Sequence, residues 1–366
     1  MVARRCVVDC YEKLESLWSG LDCLGPAEPV GAVLAAHERA VVSAAVLGTH
    51  LGAAAVDPAV AMACRDKAMQ KSRWFRAGVP TARWCVMPNG AGSARQVREA
   101  LSAAGLALPV VVKPPLGGGS LHVSVADSHA AVHDRADTTD ELNRPLVEQW
   151  IDGPEWHFDG LVRQGRITDL MVSRYLTPPI RTGAGAPVRS VTLPPAVHGE
   201  TYAEAMAFSL RAVGALGLAR GVFHLEVFGE PGRFVAGELA CRPGGTLIGR
   251  VGESVLGLDL WAASARLFTG DDIVRKDVDP GQAHGWFHLP SVAGVRNAVT
   301  PADILGVAGV TSVSMKTPVG AVMGGMLKSS AAGIGAATVS GPTEEACRQA
   351  MDSVVEKVLE IHEERR

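Results

Sequence analysis

The chain has 366 residues, 47% of them apolar and 20% charged, and a net charge of −3. This length buries a large core and favours two or three subdomains. The composition excludes long disordered tracts, and the near-neutral charge supplies no basic field for nucleic acid or an anionic membrane. No apolar run reaches the roughly 18 residues that cross a bilayer, and the stretch from Met1 to Asp9 lacks the apolar core of a secretory signal. The expectation is a cytoplasmic protein with no membrane and no nucleic-acid partner. The seven cysteines (Cys6, Cys10, Cys23, Cys64, Cys85, Cys241, Cys347) are dispersed without a C-x-x-C pair and read as free thiols. The eleven histidines show no zinc spacing, so a metal is expected on oxygen ligands.

In chain order, Val30 to Leu34 reads as a short buried strand and Ala35 to Leu51 as a helix stopped by Gly52. A second helix is expected from Arg65 to Ala77, ended by Gly78 and Val79-Pro80, and a third from Ser93 to Gly105. Pro109 to Lys113 is a β-branched strand, and after a glycine-rich turn Leu121 to Val125 alternates like a returning strand. A short helix from Asp127 to Asp137 and a strand from Leu146 to Ile151 follow, the latter closed by Asp152-Gly153-Pro154. Leu176 to Pro195, rich in Pro, Gly, Thr and Arg, reads as a long surface loop. After a helix from Tyr202 to Leu216, the strands Gly221 to Phe228 and Arg233 to Leu239 are separated by a turn and read as a hairpin. A last helix begins near Thr343 with Glu344 and Glu345 in its first turn. The alternation of strands and helices indicates an α/β or α+β fold.

Four constellations carry chemistry. The run Lys113-Pro-Pro-Leu-Gly-Gly-Gly-Ser120 sets a lysine beside glycines whose amides can approach a polyphosphate closely; the same residues also fit a flexible turn next to a surface lysine. Glu226 and Glu238 lie on adjacent strands of the hairpin. Two carboxylates brought together in apolar surroundings call for a cation, usually magnesium with phosphate oxygens and water; two solvent-facing glutamates are the alternative. Arg242, just past Glu238 and followed by Pro243-Gly244-Gly245, can hold a transferring phosphoryl group or an oxyanion, or serve as a structural arginine at a turn. Glu148-Gln-Trp150-Ile151 with Glu155 can offer an edge of backbone to a purine and a carboxylate to its ribose. Arg174, Arg181 and Arg189 are candidates to meet a substrate carboxylate, with His288 and Lys328 of the same grade.

In their order and spacing these motifs resemble the ATP-grasp superfamily. The resemblance runs from Arg65-Asp66-Lys67 and Arg76-Ala-Gly-Val-Pro80 through the Lys113 strand and glycine loop, Glu148 and Glu155, and Phe223-His-x-Glu226 to Glu238-x-x-x-Arg242-Pro-Gly-Gly245. It implies an α+β fold in which two lobes sandwich ATP, preceded by a short Rossmann-like α/β domain. The implied divisions are residues 1–78, a lid at 79–149, and a catalytic lobe with the C-terminal part at 150–366. It also implies that Lys67 and Lys113 contact the phosphates and that the loop around Gly117, Gly118, Gly119 and Ser120 closes over them. Glu148 and the backbone at Trp150 and Ile151 would hold adenine, Glu155 the ribose, Glu226 and Glu238 magnesium, and Arg242 the acyl phosphate or tetrahedral intermediate. Manganese is allowed in place of magnesium, and a homodimer is allowed as the assembly.

The branch most similar is that of the amino-acid ligases, which join a small carboxylate substrate to an amine through an acyl phosphate and release ADP and phosphate. A carboxylase acting on bicarbonate and a non-catalytic ATP-binding module are the alternatives. Two departures stand out. Ala240 occupies the place where the family commonly has a metal-binding asparagine, and only about 65 residues precede Asp66.

Overall fold

A computed structural model describes residues 4–25, 29–87, 93–137, 144–184, 187–324 and 333–363. The chain opens with helices α1 (Leu14–Leu24), α2 (Val41–Leu51), α3 (Pro58–Arg65) and α4 (Lys67–Arg76). The strand expected at Val30 to Leu34 reduces to a single parallel bridge, Ala32 to Ala54. The helix expected from Ala35 starts only at Val41, because His37 accepts the Arg39 amide and forms a 3-10 turn over Glu38–Ala40 first. The helix expected across Arg65 to Ala77 is two. Asp66 is extended, and its carboxylate caps α4 by accepting the Met69 amide at 3.0 Å. Asp57 and Pro58 start α3 with an N-cap carboxylate and an N1 proline.

A four-stranded antiparallel sheet follows, in the order β1 (Trp84–Val86), β4 (Leu146–Gln149), β2 (Val110–Lys113), β3 (Ser124–Ala126). Helices α5 (Ala94–Ala103) and α6 (His129–Asp137) cover it, and Val97, Leu101, Val110, Val112, Val132 and Val147 form its own core. β3 starts later than expected at Leu121, since Ser120 and His122 hold φ of 57° and 60°, outside any strand.

The larger sheet has eight antiparallel strands in the order β11-β12-β10-β7-β6-β5-β8-β9. These are β5 (Glu155–Arg163), β6 (Arg166–Thr177), β7 (Arg189–Thr192), β8 (Gly221–Phe228), β9 (Val235–Ala240), β10 (Ala283–Leu289), β11 (Val310–Met315) and β12 (Gly335–Gly341). The surface loop expected from Leu176 to Pro195 is corrected here. β6 continues to Thr177, and β7 lies inside the sheet between β6 and β10. Its Ser190 and Thr192 are buried, so their polarity marks internal hydrogen bonding rather than exposure.

One face of this sheet packs on α4 and α7 (Gly199–Leu216) through Trp74, Phe158, Phe208, Phe223 and Leu225. Farther along, Phe287, Leu289 and Val339 meet Met351 and Val354 of α11 (Glu344–Glu363). The remaining helices are α8 (Ile248–Val255), α9 (Leu260–Thr269) and α10 (Pro301–Leu305).

The free edge of β9 is closed by side chains and a neighbouring segment. Gln70 of α4 is fully buried; its amide nitrogen donates to the Leu239 carbonyl at 2.9 Å and its oxygen accepts the Leu239 N–H at 2.9 Å. The Ala236 amide donates to Pro80 at 2.8 Å, and Thr81 bridges Ala236 in parallel. Among the described residues no helix is long and apolar enough to cross a membrane.

Candidate active site

Period two along the strands sends alternate residues to opposite faces of the eight-stranded sheet. Trp156, Phe158, Phe223 and Leu225 enter the core, while Glu155, His224, Glu226 and Glu238 line a cleft of about 350 Å³. Lys113 and the Gly117–Ser120 loop line it from the smaller sheet, Trp150 and Ile151 from the connection between the sheets, and Glu38 from the N-terminal segment.

Lysines and carboxylates interlock at one end. Glu148 lies between Lys113 at 2.8 Å and Lys71 at 3.2 Å. Burial pushes its carboxyl up, but the two lysines outweigh this and hold it below its ordinary value. Burial lowers Lys71 to about 8, and burial also opposes the charge on Lys113, which Glu148 and Glu238 nonetheless keep raised. The Glu148 carboxylate is thus engaged by two cations. Lys67 bridges to Glu238 at 2.8 Å and donates to the Gly117 carbonyl at 2.9 Å. Arg65 donates to the same carbonyl at 3.0 Å.

Glu226 and Glu238 are direct cross-strand partners. Burial raises the Glu238 carboxyl, but Lys67 and Lys113 prevail and lower it. Glu155 is buried beside them, and burial together with Glu226 lifts its carboxyl well above the usual range. On this patch of sheet Glu226 and Glu238 thus offer paired hard oxygens of the kind that suit magnesium or manganese, while the three side chains that among the described residues come close enough together to share a metal are His157, Asp159 and His224 just below.

Beneath this patch lies a buried polar chain. His157 bonds Asp159 at 2.6 Å and Ser190 at 2.7 Å, and Asp159 reaches His224 at 2.8 Å. His224 stands 3.8 Å from Glu226 and directly across from Ala240. Burial opposes the His224 charge, but Asp159 wins and raises its pKa to about 10. Gly244 covers this chain: a Cβ there would lie 2.9 Å from both Asp159 Oδ1 and His224 Nδ1, so only glycine fits. Its role is close approach.

Arg242 lines the cleft with its Nε 2.6 Å from the Glu38 carboxylate, and it donates to the Pro243 carbonyl at 2.7 Å. The three arginines of the 174–189 segment separate. Arg181 lines the cleft mouth, Arg174 stacks over Trp156 at 5.8 Å, and Arg189 pairs with Asp352 of α11. His288 is buried with its Nε2 3.4 Å from Thr246, and Lys328 lies outside the described residues.

Sequence reading passed over Glu38, Lys71, His157, Asp159, Tyr175 and Trp286. The alternation in Glu155-Trp-His-Phe-Asp159 was the signal for β5 and its polar face; Glu38 carried only the signal of a charge inside an apolar stretch.

The whole arrangement has parallels among known proteins. No protein-family model matches the chain. The L-amino acid ligase of Bacillus licheniformis superposes with a TM-score of 0.78 over 96% of this chain and 85% of that one, at 18% identity. A carboxyaminoimidazole ribonucleotide synthase of Aspergillus clavatus, solved with ATP, gives 0.71 over 98% and 88%, at 15% identity. In sequence, the L-arginine-specific L-amino acid ligase of Bacillus subtilis is 27% identical over 287 residues, 75% of this chain and 66% of that protein. The chain has the ATP-grasp fold. The ATP-grasp core is also reflected in a D-alanine–D-alanine ligase of Idiomarina loihiensis, 35% identical over 95 residues, 25% of this chain and 29% of that one. This chain thus spans slightly less than two thirds of the first sequence relative and under a third of the latter. Among the described residues before α4 there are helices and one bridge but no strand.

Proposed function

We propose that this chain is an ATP-dependent carboxylate–amine ligase that joins small amino-acid-like metabolites through an acyl phosphate, releasing ADP and phosphate. The observation that carries the proposal is the pairing of opposites across one cleft. Lys67, Lys113 and the glycine loop face it from one side, and Glu155, Glu226 and Glu238 from the other, with Arg242 at the join. Likeness to L-amino acid ligases in fold and sequence supports the same reading.

In this reading the lysines and the loop amides bind the triphosphate of ATP, and the Trp150–Ile151 backbone binds adenine. The resemblance assigns Glu155 to the ribose, and its carboxyl, raised by burial and by Glu226, suits a hydroxyl partner. Glu226 and Glu238 would hold magnesium, which when bound offsets the negative charge of the phosphates. Their fit rests on the chemistry of the donors, two paired carboxylates facing the cleft with Lys67 and His224 beside them. A substrate carboxylate oxygen then attacks the γ-phosphorus with ADP leaving. The amine attacks the acyl carbon, and phosphate departs with the carbonyl–oxygen bond. Arg242 steadies the oxyanion that forms in between, as a charged donor in a sheltered site. Glu38 holds the guanidinium in place.

Phosphate release from ATP with pairs of amino acids, followed by product mass, tests the proposal. Release that requires an amine supports it. Release that requires bicarbonate instead would make the chain a carboxylase, and ATP binding without turnover would leave a nucleotide-binding module.

A further inference from the structure

The cleft does not end at the carboxylates. Across the sheet Glu155, Tyr175, Ser190 and Trp286 stand in one register row. From Tyr175 onward the apolar lining is made by Pro178, Ile180, Val188, Ile248 and Trp286, with Thr246 and Arg181 as the polar members of this end. Val188, Ile248 and Trp286 are 1–3% exposed and pack with Met171, Val251 and Val255 into one apolar layer, in which α8 leans on the sheet. Close packing of this kind fixes the shape of the wall.

Of the side chains in this apolar wall itself, none is charged. Arg181 is exposed at the mouth, while Arg174 and Arg189 turn to Trp156 and Asp352 on the far side of the sheet. His288, packed edge-on against Trp286, is held neutral, since burial lowers its pKa to about 4. The nearest carboxylate in the row, Glu155, is already set against Glu226. Trp286 Nε1 is buried without a hydrogen bond among the described residues, leaving one donor beside the apolar wall.

We propose that this end of the cleft is a side-chain subsite for an uncharged, branched or aromatic amino acid, with Val188, Ile248 and Trp286 setting the preference. The inference rests on the ligase reading above and deepens it. A guanidinium placed against this wall would be desolvated among apolar groups, and a carboxylate would find its cation only at Arg181 on the mouth, which disfavours charged side chains deeper in. In this the chain departs from its relative named for specificity toward arginine.

The test is a pairwise panel of leucine, methionine, phenylalanine, arginine, lysine, aspartate and glutamate, read by phosphate release and product mass. In at least one of the two positions the apolar set should exceed the charged set in kcat/KM by tenfold or more, roughly the discrimination one side-chain pocket supplies. Ile248→Ala and, separately, the milder Val188→Ala enlarge the subsite. Each should raise the phenylalanine-to-alanine ratio of kcat/KM several-fold, with thermal unfolding and ATP-analogue affinity as controls for folding. Charged amino acids turned over as well as leucine in both positions would overturn the subsite while leaving the ligase standing. So would unchanged ratios in both folded variants. No release with any amino acid would remove the ligase reading and this one with it.

Discussion

At the scale of the residue, Arg242 and Asp159 make opposite predictions. If Arg242 acts on the oxyanion, its charge is used more in the transition state than in the ground state. Arg242→Met should then lower turnover by about a hundredfold or more, with ATP-analogue affinity nearly unchanged in calorimetry. Hydroxylamine intercepts an acyl phosphate as a hydroxamate; equal hydroxamate from the variant and the wild type would remove Arg242 from the chemistry. Asp159, by contrast, lies under the floor and holds His224. The folded His224 pKa is about 10 against an ordinary 6.5. Its stabilisation is therefore complete below pH 6.5 and is lost as pH rises toward 10. Asp159→Asn strands a buried cation and should cost about 3–5 kcal/mol near pH 7. The difference from wild type should shrink steadily between pH 7 and pH 10 in denaturant titrations. A difference that stays flat with pH would show that His224 is not the charged partner.

At the scale of the element, the sequence revealed the strands flanked by clear turn residues or built on a β-branched run, and left β1, β5, β6, β7, β10, β11 and β12 unread. The Gly221–Phe228 and Val235–Ala240 hairpin was legible because turn residues separate two apolar runs, and its register puts Glu226 opposite Glu238. β7 was not legible. Arg-Ser-Val-Thr, two residues after Pro187 and just before Leu193-Pro194-Pro195, looks like a loop, and the buried bonds of Ser190 to His157 and of Ser173 to Thr192 explain it as a strand. Glu38 was equally hidden, since its partner Arg242 lies about two hundred residues away and no local pattern records a pairing at that distance.

The glycine loop carries the prediction at this scale. It is held by Lys67 and Arg65 at the Gly117 carbonyl, and β2 delivers Lys113 to its base. Lys113→Ala should weaken binding of a non-hydrolysable ATP analogue by roughly 1.5–3 kcal/mol, the worth of a charge-assisted hydrogen bond. Glu148 keeps Lys71 as a partner in that variant, so folding should survive. Wild-type affinity in the variant would make Lys113 a structural counterion only.

At the scale of the whole molecule, the four-stranded sheet with α5 and α6 has its own core, and the cleft lies between it and the larger sheet. It should therefore swing as a body over bound nucleotide. Crystals with and without an ATP analogue would show this, and an identical lid position in both would count against it. The larger sheet itself ends safely at β9, where Gln70 supplies the donor and acceptor that another strand would otherwise provide. Replacing that amide by Ala would leave the Leu239 N–H and C=O open to any passing extended chain. The variant should thus turn cloudy on mild heating at high concentration, and refold poorly from urea, even while freshly diluted protein still binds nucleotide. One side chain on a helix guards the colloidal behaviour of the entire protein.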